Sequence, residues 1–296
     1  MLRRTLGKLI LLLVMAGLRG SAGVVPLTGL LQDIAFHGSG ALFGGFSALH
    51  LAADGSDFIA LSDHGAFVTG RFDRDAMGRI VSIHTNSMTP LLDVAGQPLG
   101  EKMTDSEGLT FDADGTVYVS FEGPARVQRY ASLGSAATLL PSPPAFAKLP
   151  RNRALEALAL APDGTLYTVP EISDALDRPF PVFRFRQGAW DQPFTLPRRD
   201  HFLISDATFG PDGRFYILER EFRGFGGFAT RIRRFQLTDA GAVQETTVLR
   251  TEPGTHDNLE GLVVWRDSIG LRATMVSDDN YLALFRSQIV EYRLPD

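Results

Sequence analysis

The chain has 296 residues, a formal net charge of −5 at pH 7 and no cysteine. The lack of cysteine excludes disulfide bonds and the attachment of a lipid through a thiol. The acidic balance argues against a nucleic-acid-binding protein, because such proteins neutralise phosphates with Lys and Arg.

Residues 1–22 are predicted to be a secretory signal peptide. Three basic residues lie within the first eight positions, and residues 9–18 form an apolar stretch that is short for a membrane-spanning helix. An uncleaved anchor is the alternative, and Arg3-Arg4 leaves both the Sec and the twin-arginine export routes open. Cleavage would remove four basic residues and no acidic residue, which changes the formal charge from −5 to −9. We therefore expect a periplasmic or secreted protein that is not stably inserted in the membrane.

Residues 23–296 are predicted to form a single domain that is built from a repeat of about 50 residues. In each unit a short apolar phrase, which often carries an acid, is followed by a second apolar run, usually across an Asp-Gly turn. Asp-Gly favours the tight hairpins that join antiparallel strands, and strand repeats of this length are typical of a β-propeller. The phrases are residues 46–49, 106–109, 155–158, 205–208 and 259–262, and the last lacks the Asp-Gly turn.

The fold class expected from this pattern is all-β, with one β-propeller of five blades. The fifth unit ends one strand short, whereas the strand-like run Leu27–Phe36 precedes the first unit. Because an incomplete ring would leave an exposed strand edge, this N-terminal run is predicted to complete the last blade. A sixth blade is the alternative, if the long first unit at residues 47–105 contains an additional one.

Acidic residues recur at two positions that are predicted to meet on one face of the disk. The first two strands of a blade are antiparallel, so the start of one and the end of the next share a face. Clustered like charges need cations, Arg side chains or hydrogen bonds, and Ca²⁺ prefers several oxygen ligands. The alternative is a structural role, in which the acids accept backbone hydrogen bonds between blades. First strands carry Glu107, Glu156, Asp206 and Glu260, and second strands end with Asp63, Glu122, Glu171, Glu219 and Asp278.

Short motifs around these acids carry a resemblance to a known family. They are Phe46-Ser47-Ala48-Leu49, Ser62-Asp63-His64-Gly65, Asp105-Ser106-Glu107-Gly108-Leu109, Asp206 with Leu218-Glu219-Arg220, Asn258-Leu259-Glu260-Gly261 and Ser277-Asp278-Asp279-Asn280. In order and spacing they resemble the family called "esterase-like activity of phytase", which consists of exported bacterial proteins. The resemblance implies a phytase-like propeller that hydrolyses esters or phosphoesters, and similarity to propeller phytases implies calcium. One departure is that Asp206 stands one residue closer to its turn than Glu156 does.

The leading hypothesis is a metal-dependent hydrolase of phosphoester or carboxylic ester substrates, with calcium as the expected metal. The metal would polarise the ester oxygen and activate a water molecule. The alternatives are a metal-dependent lactonase, since gluconolactonase-like propellers also surround a central ion with Glu and Asn, and a non-catalytic periplasmic binding propeller. The expected partner is a small molecule, and a monomer is expected. The candidate residues are Asp63, Glu107, Glu156, Glu260 and Asp278 as metal ligands, His64 and Glu260 in catalysis, and Arg153, Arg220 and Arg223 in substrate binding.

Overall fold

Five antiparallel sheets of four strands each make up the computed structural model, which describes residues 29–40, 42–281 and 285–296. The predicted signal peptide therefore lies outside the described residues. Blade 1 contains β2 (Phe46–Leu51), β3 (Asp57–Ser62), β4 (Ala66–Arg74) and β5 (Ile80–Pro90), and blade 2 contains β6 (Ser106–Phe111), β7 (Val117–Phe121), β8 (Arg126–Tyr130) and β9 (Ala137–Leu139). Blade 3 contains β10 (Leu155–Leu160), β11 (Leu166–Pro170), β12 (Phe180–Arg186) and β13 (Ala189–Leu196), and blade 4 contains β14 (Leu203–Phe209), β15 (Phe215–Phe222), β16 (Phe228–Thr238) and β17 (Gly241–Arg250). Blade 5 contains β18 (Asn258–Arg266), β19 (Leu271–Asp278), β20 (Gln288–Arg293) and the N-terminal strand β1 (Leu30–Ala35).

The blades form a closed ring, so the prediction of a five-bladed propeller is confirmed. The first strand of each blade contacts the first strand of the next, in the order β2, β6, β10, β14, β18 and back to β2. The long first unit forms a single blade, because its additional residues lengthen β4 and β5. The five first strands therefore line the centre of the molecule, and they place their starts at one mouth of the channel.

The N-terminal strand completes blade 5, as the sequence predicts. β1 pairs with β20 in antiparallel register from Leu30 to Ala35. The Gln32 amide also exchanges hydrogen bonds with the backbone of Ile80 in blade 1, at 2.7 and 3.2 Å. The closing strand is thus fastened to both blades at the junction.

The core lies between the blades. Five clusters of buried apolar side chains each join two consecutive blades around the ring. The third strands of four blades contribute an aromatic side chain to this core, and Phe72, Tyr130, Phe235 and Tyr292 are buried there. Among the described residues, no helix is long and apolar enough to cross a membrane. Burial of strand faces between blades is therefore what fixes the positions of the strand ends at the mouth.

Candidate active site at the channel mouth

A bulge near the start of each first strand defines the first of two positions at the mouth. The pairing with the second strand shifts register at the same place in all five blades. Such a bulge leaves a residue without a direct cross-strand partner and re-aims its side chain. The bulge residues are Ser47, Glu107, Glu156, Ser205 and Glu260.

Close packing of neighbouring first strands explains the glycine after two of these glutamates. A Cβ on Gly108 would lie 2.6 Å from the Cβ of Leu158, and a Cβ on Gly261 would lie 2.8 Å from the backbone of Ala48. A larger residue would therefore push the adjacent blade away. In each Glu-Gly phrase the glutamate lies at the mouth, and the glycine allows the adjacent blade to pack closely against the strand.

A second position at the mouth, the strand-end position, lies at the end of each second strand. In each blade the first-strand residue just before the bulge pairs with a second-strand residue, and the residue after that partner occupies the strand-end position. Phe121, for example, pairs with Ser106, and the next residue is Glu122. In the other blades the pairing residues are Ser62, Pro170, Glu219 and Ser277. The residues that follow are Asp63, Glu122, Glu171, Arg220 and Asp278.

Blade 4 corrects two sequence-based assignments, those of Asp206 and Glu219. Asp206 lies one residue beyond the bulge, opposite Leu218. Its buried carboxylate accepts hydrogen bonds from the backbone N–H groups of Ala207 and Leu262, both at 2.7 Å. It therefore joins blade 4 to blade 5 and does not belong with the acids of the mouth.

Glu219 lies one residue before the strand-end position, opposite Ile204. Its carboxylate is fully buried and binds Arg231 at 2.7 Å and Arg233 at 2.6 Å. The Coulombic attraction and hydrogen bonds of this pairing keep the carboxylate between strands of its own blade. The strand-end position in blade 4 is consequently occupied by Arg220.

Arg220 neutralises one side of the mouth. Its Nη2 lies 3.0 Å from Glu260, 3.2 Å from Glu171 and 4.0 Å from Glu156. Its Nη1 donates to Oδ1 of Asn258 at 2.9 Å, and the amide of Asn258 in turn donates to Glu260 at 2.7 Å. The acids that the sequence assigns to metal binding in blades 3 and 5 are thus held around an internal cation.

At blades 1 and 2 the mouth has carboxylates that form no ion pair with an arginine or lysine among the described residues, although one of them, Glu122, also has an oxygen within 4.8 Å of Glu156 and Glu171. Oxygen atoms of Asp105, Glu107 and Glu122 lie within 4.8 Å of one another. Glu107 is 8% exposed, and its electrostatic neighbours are other carboxyl groups, among them Asp105 and Glu122. Oδ1 of Asp63 is buried and has no hydrogen-bond partner among the described residues. A buried oxygen that lacks a donor, next to a cluster of acids, indicates a place for a cation or for protons.

The mouth raises the pKa values of its carboxyl groups. Burial is the largest cause at each position, and neighbouring carboxylates raise the pKa further. Burial alone would lower the pKa of Arg220, but the Coulombic attraction of Glu260, Glu156 and Glu171 outweighs it and raises that pKa. The pKa is raised to about 6 at Asp278, to about 7 at Asp63, to about 8 at Glu122 and Glu260, and well above its ordinary value at Glu107 and Glu156.

A cleft of about 560 Å³ opens beside the acids that lack a cation. His64 lies on its wall, with the imidazole stacked on Tyr281 at 4.0 Å between ring centroids and with Nε2 3.9 Å from Oδ1 of Asp63. Lys102 and Arg151 also line the cleft and are exposed. Carboxylates, an imidazole and two basic side chains therefore surround one accessible space.

The three arginines predicted to bind substrate are placed differently. Arg153 is 53% exposed, and its Nε lies 3.6 Å from Glu171 at the mouth. Arg223 forms its ion pair with Glu221 at 2.9 Å, which is not an acid of the mouth. The terminal nitrogens of Arg220 contact the carboxylates and Asn258 described above. Of these three arginines, Arg153 both lies close to an acid of the mouth and has an exposed side chain that a substrate can reach.

The sequence analysis places Glu122 at the mouth but does not include it among the metal ligands, and it gives no role to Asp105, Lys102 or Arg151. As a metal ligand, Glu122 could have been added from the repeat alone, because it is at the strand-end position. Asp105 directly precedes the phrase that contains Glu107. Lys102 lies in a short 3-10 helix, Glu101–Met103, between blades 1 and 2, and Arg151 lies in the connection between blades 2 and 3. Neither repeated pattern includes them, and their position beside the acids follows from how these three blades are arranged.

A family model described as "Phytase-like: Esterase-like activity of phytase" matches residues 41–281. No curated protein matches the sequence. Among solved structures, the α-L-arabinofuranosidase from Podospora anserina in complex with cellotriose is 10% identical, with a TM-score of 0.52 over 88% of this chain and 95% of that chain. A candidate 6-phosphogluconolactonase from Bacteroides uniformis is 14% identical, with a TM-score of 0.47 over 81% and 80% of the two chains. The first of these likenesses shows a shared fold and nothing about activity.

Proposed function

The chain belongs to the phytase-like family, esterase-like activity of phytase, and from this we propose that it is an exported, metal-dependent hydrolase of phosphoesters or carboxylic esters. The observation that carries the proposal is the cluster of Asp105, Glu107 and Glu122, whose oxygens lie within 4.8 Å of one another beside an open cleft. Perturbed carboxyl groups in a cleft are typical of functional sites.

The residues of this cluster fit a hard divalent cation. All the donor atoms are carboxylate oxygens, which suit Ca²⁺ better than metals that prefer His or Cys. Asp63, whose Oδ1 is buried and has no hydrogen-bond partner in the part of the chain that the structure describes, adds a fourth acid next to the cluster. Asp63, Asp105, Glu107 and Glu122 would hold the cation, and we propose calcium.

A bound divalent cation would supply Lewis-acid polarisation of an ester or phosphoester oxygen. The exposed His64 imidazole stands beside Asp63, where it would accept or donate a proton at Nε2. Lys102, Arg151 and Arg153 would attract the negative charge of a phosphoester. Glu260 is bound to Arg220 and Asn258, so its proposed share in catalysis is to keep the opposite wall of the mouth in place.

A binding propeller without catalysis is the second candidate. The observation that favours it is that several acids already have partners within the protein. Asp206 accepts a hydrogen bond from a backbone N–H group, and Glu219 and Glu260 each pair with an arginine. In that case the acids of the mouth serve to join blades. A lactonase would use the same cation and cleft and would differ in its substrate.

The test is hydrolysis by purified protein that has first been stripped of metal with a chelator. Aryl phosphates, aryl carboxylic esters and simple lactones are assayed with and without added Ca²⁺. We expect turnover of a phosphate or a carboxylic ester that requires Ca²⁺ and that Glu107→Gln abolishes, whereas Glu252→Gln, at an exposed glutamate, leaves it unchanged. Turnover of lactones alone would select the lactonase. No turnover together with no Ca²⁺ binding would select the binding propeller.

A further inference from the structure

Arg220 occupies a position that carries a carboxylate in each of the other four blades. Glu219 pairs with Ile204 just before the bulge of β14, as Pro170 pairs with Leu155 just before the bulge of β10. The next residue is Arg220 in one case and Glu171 in the other. The exchange of a carboxylate for a guanidinium is therefore specific to one blade of an otherwise repeated arrangement.

The guanidinium makes contacts that a bound cation would make at this place. Three glutamates from two blades surround Nη2, at 3.0 Å for Glu260, 3.2 Å for Glu171 and 4.0 Å for Glu156. A neutral oxygen, Oδ1 of Asn258, accepts from Nη1 at 2.9 Å. Several carboxylates and one amide oxygen form the kind of ligand set that Ca²⁺ takes in proteins.

Among the described residues, loss of the guanidinium would leave Glu156 and Glu260 without a cationic partner, whereas Glu171 would keep Arg153 at 3.6 Å. Glu156 and Glu260 are buried. The amide nitrogen of Asn258 donates to both Glu260 and Asp278, which links Asp278 to these carboxylates. Buried carboxylates must then take up protons or another cation, because separate buried negative charges are costly. A divalent cation in place of the guanidinium would meet the same carboxylate and amide oxygens.

We propose that Arg220 is a built-in cation that fills one of two cation sites at the mouth. The protein consequently takes up one divalent ion, at the side of Asp105, Glu107 and Glu122, and Arg220 excludes a second. The location of the first ion rests on the proposed function above. The role of Arg220 rests on its own contacts and position.

The test is the number of Ca²⁺ ions bound by metal-free protein at pH 9, measured by calorimetric titration and by equilibrium dialysis. We compare the wild type with Arg220→Gln, which removes the charge, and with Arg220→Lys, which keeps it. Arg153→Gln is the matched control, because Arg153 also contacts Glu171 but is 53% exposed. We expect Arg220→Gln to bind one ion more than the wild type, and Arg220→Lys and Arg153→Gln to bind the wild-type number.

Each outcome separates this inference from the proposed function. One ion in the wild type and two in Arg220→Gln support both. No ion in the wild type and one in Arg220→Gln support the role of Arg220 and remove the metal from the proposed function. Equal numbers in the two proteins overturn the role of Arg220, whatever the wild type binds.

Arg220→Gln could lose its fold because it removes a buried charge, so circular dichroism accompanies every titration. If the variant is unfolded in chelator, we expect Ca²⁺ to refold it, since the ion replaces the guanidinium. A variant that stays unfolded at every Ca²⁺ concentration would overturn the proposal, as would one that is equally stable with and without Ca²⁺.

Discussion

At the scale of single residues, the channel mouth contains acids of the same type in two different electrostatic settings. Glu260 is paired with Arg220 at 3.0 Å. Glu107 is equally buried, but its neighbours are Asp105 and Glu122. The repeat in the sequence places both glutamates correctly and does not distinguish between them. The difference arises from Arg220, which occupies the strand-end position of blade 4, where each of the other blades has a carboxylate.

The raised pKa values predict that the metal-free protein loses stability as the pH rises. A carboxyl group whose pKa is raised by folding binds more protons in the folded state than in the unfolded state. Its stabilising contribution is complete below the unfolded value near 4 and is lost as the pH passes the folded values, about 6 for Asp278, about 7 for Asp63 and about 8 for Glu122. We expect the melting temperature in chelator to fall between pH 5 and pH 9, and added Ca²⁺ to reverse most of the fall. A melting temperature that rises over this range would contradict the prediction.

Glu107→Gln should stabilise the metal-free protein at pH 8. The substitution removes a buried group whose ionisation is opposed by burial and by the acids around it. It also removes a cation ligand, so the increase in melting temperature caused by Ca²⁺ should disappear. Thermal unfolding with chelator and with Ca²⁺ measures both effects in one experiment. A variant that is less stable in chelator but keeps its full response to Ca²⁺ would show that Glu107 has a structural role.

At the scale of elements, the bulge in each first strand decides which acid reaches the mouth. In blades 2, 3 and 5 the repeat predicts which acid lies at the bulge, because the acid, the turn and the next strand keep a compatible spacing there. In blade 4 both Asp206 and Glu219 were assigned to the mouth wrongly. Asp206 stands one residue closer to its turn than Glu156 does, and this spacing indicates a departure. The register itself depends on the pairing of Glu219 with Arg231 and Arg233, a contact between strands that no local pattern reveals.

Asp206→Ala should destabilise the protein strongly, in contrast to the acids of the mouth. Its carboxylate accepts from two backbone N–H groups at 2.7 Å, one of them Leu262 in the next blade. Each buried donor left without a partner costs about 1–3 kcal/mol, so we expect a loss of roughly 2–4 kcal/mol in the free energy of unfolding. Urea denaturation at pH 7 measures it. Asp63→Ala is the control and should cost less, because Oδ1 of Asp63 has no hydrogen-bond partner within residues 29–40, 42–281 and 285–296. Equal losses in the two variants would contradict the assignment.

At the scale of the whole molecule, the ring depends on a strand that is distant in sequence from the blade it completes. β1 pairs with β20, and Asp33 of β1 accepts from the amide of Gln288 and bonds to His256, both at 2.7 Å. The sequence predicts this closure because the last unit lacks its fourth strand and the N-terminal strand-like run belongs to no other unit. Pairing the two completes the ring. The polar contacts that fasten it could not be read from the sequence, since they join residues more than 200 positions apart.

Deletion of residues 29–36 should open the ring. It removes the partner of β20 and leaves an unpaired strand edge, which promotes association between molecules. We expect a lower melting temperature and oligomers or aggregates in size-exclusion chromatography. Asp33→Ala keeps the strand and should retain the elution volume of the wild type with a smaller loss in melting temperature. A deletion variant that elutes and melts like the wild type would show that closure does not depend on β1.

The most direct test of the central claim is the dependence of hydrolysis on Ca²⁺ at the cluster of Asp105, Glu107 and Glu122. Initial rates on an aryl phosphate and an aryl carboxylic ester are measured for wild type and Glu107→Gln, first in chelator and then after Ca²⁺ is restored. The proposed function predicts that chelator abolishes hydrolysis, that Ca²⁺ restores it in the wild type, and that Glu107→Gln stays inactive in both conditions. Hydrolysis that is unaffected by chelator and equal in the two proteins would contradict it.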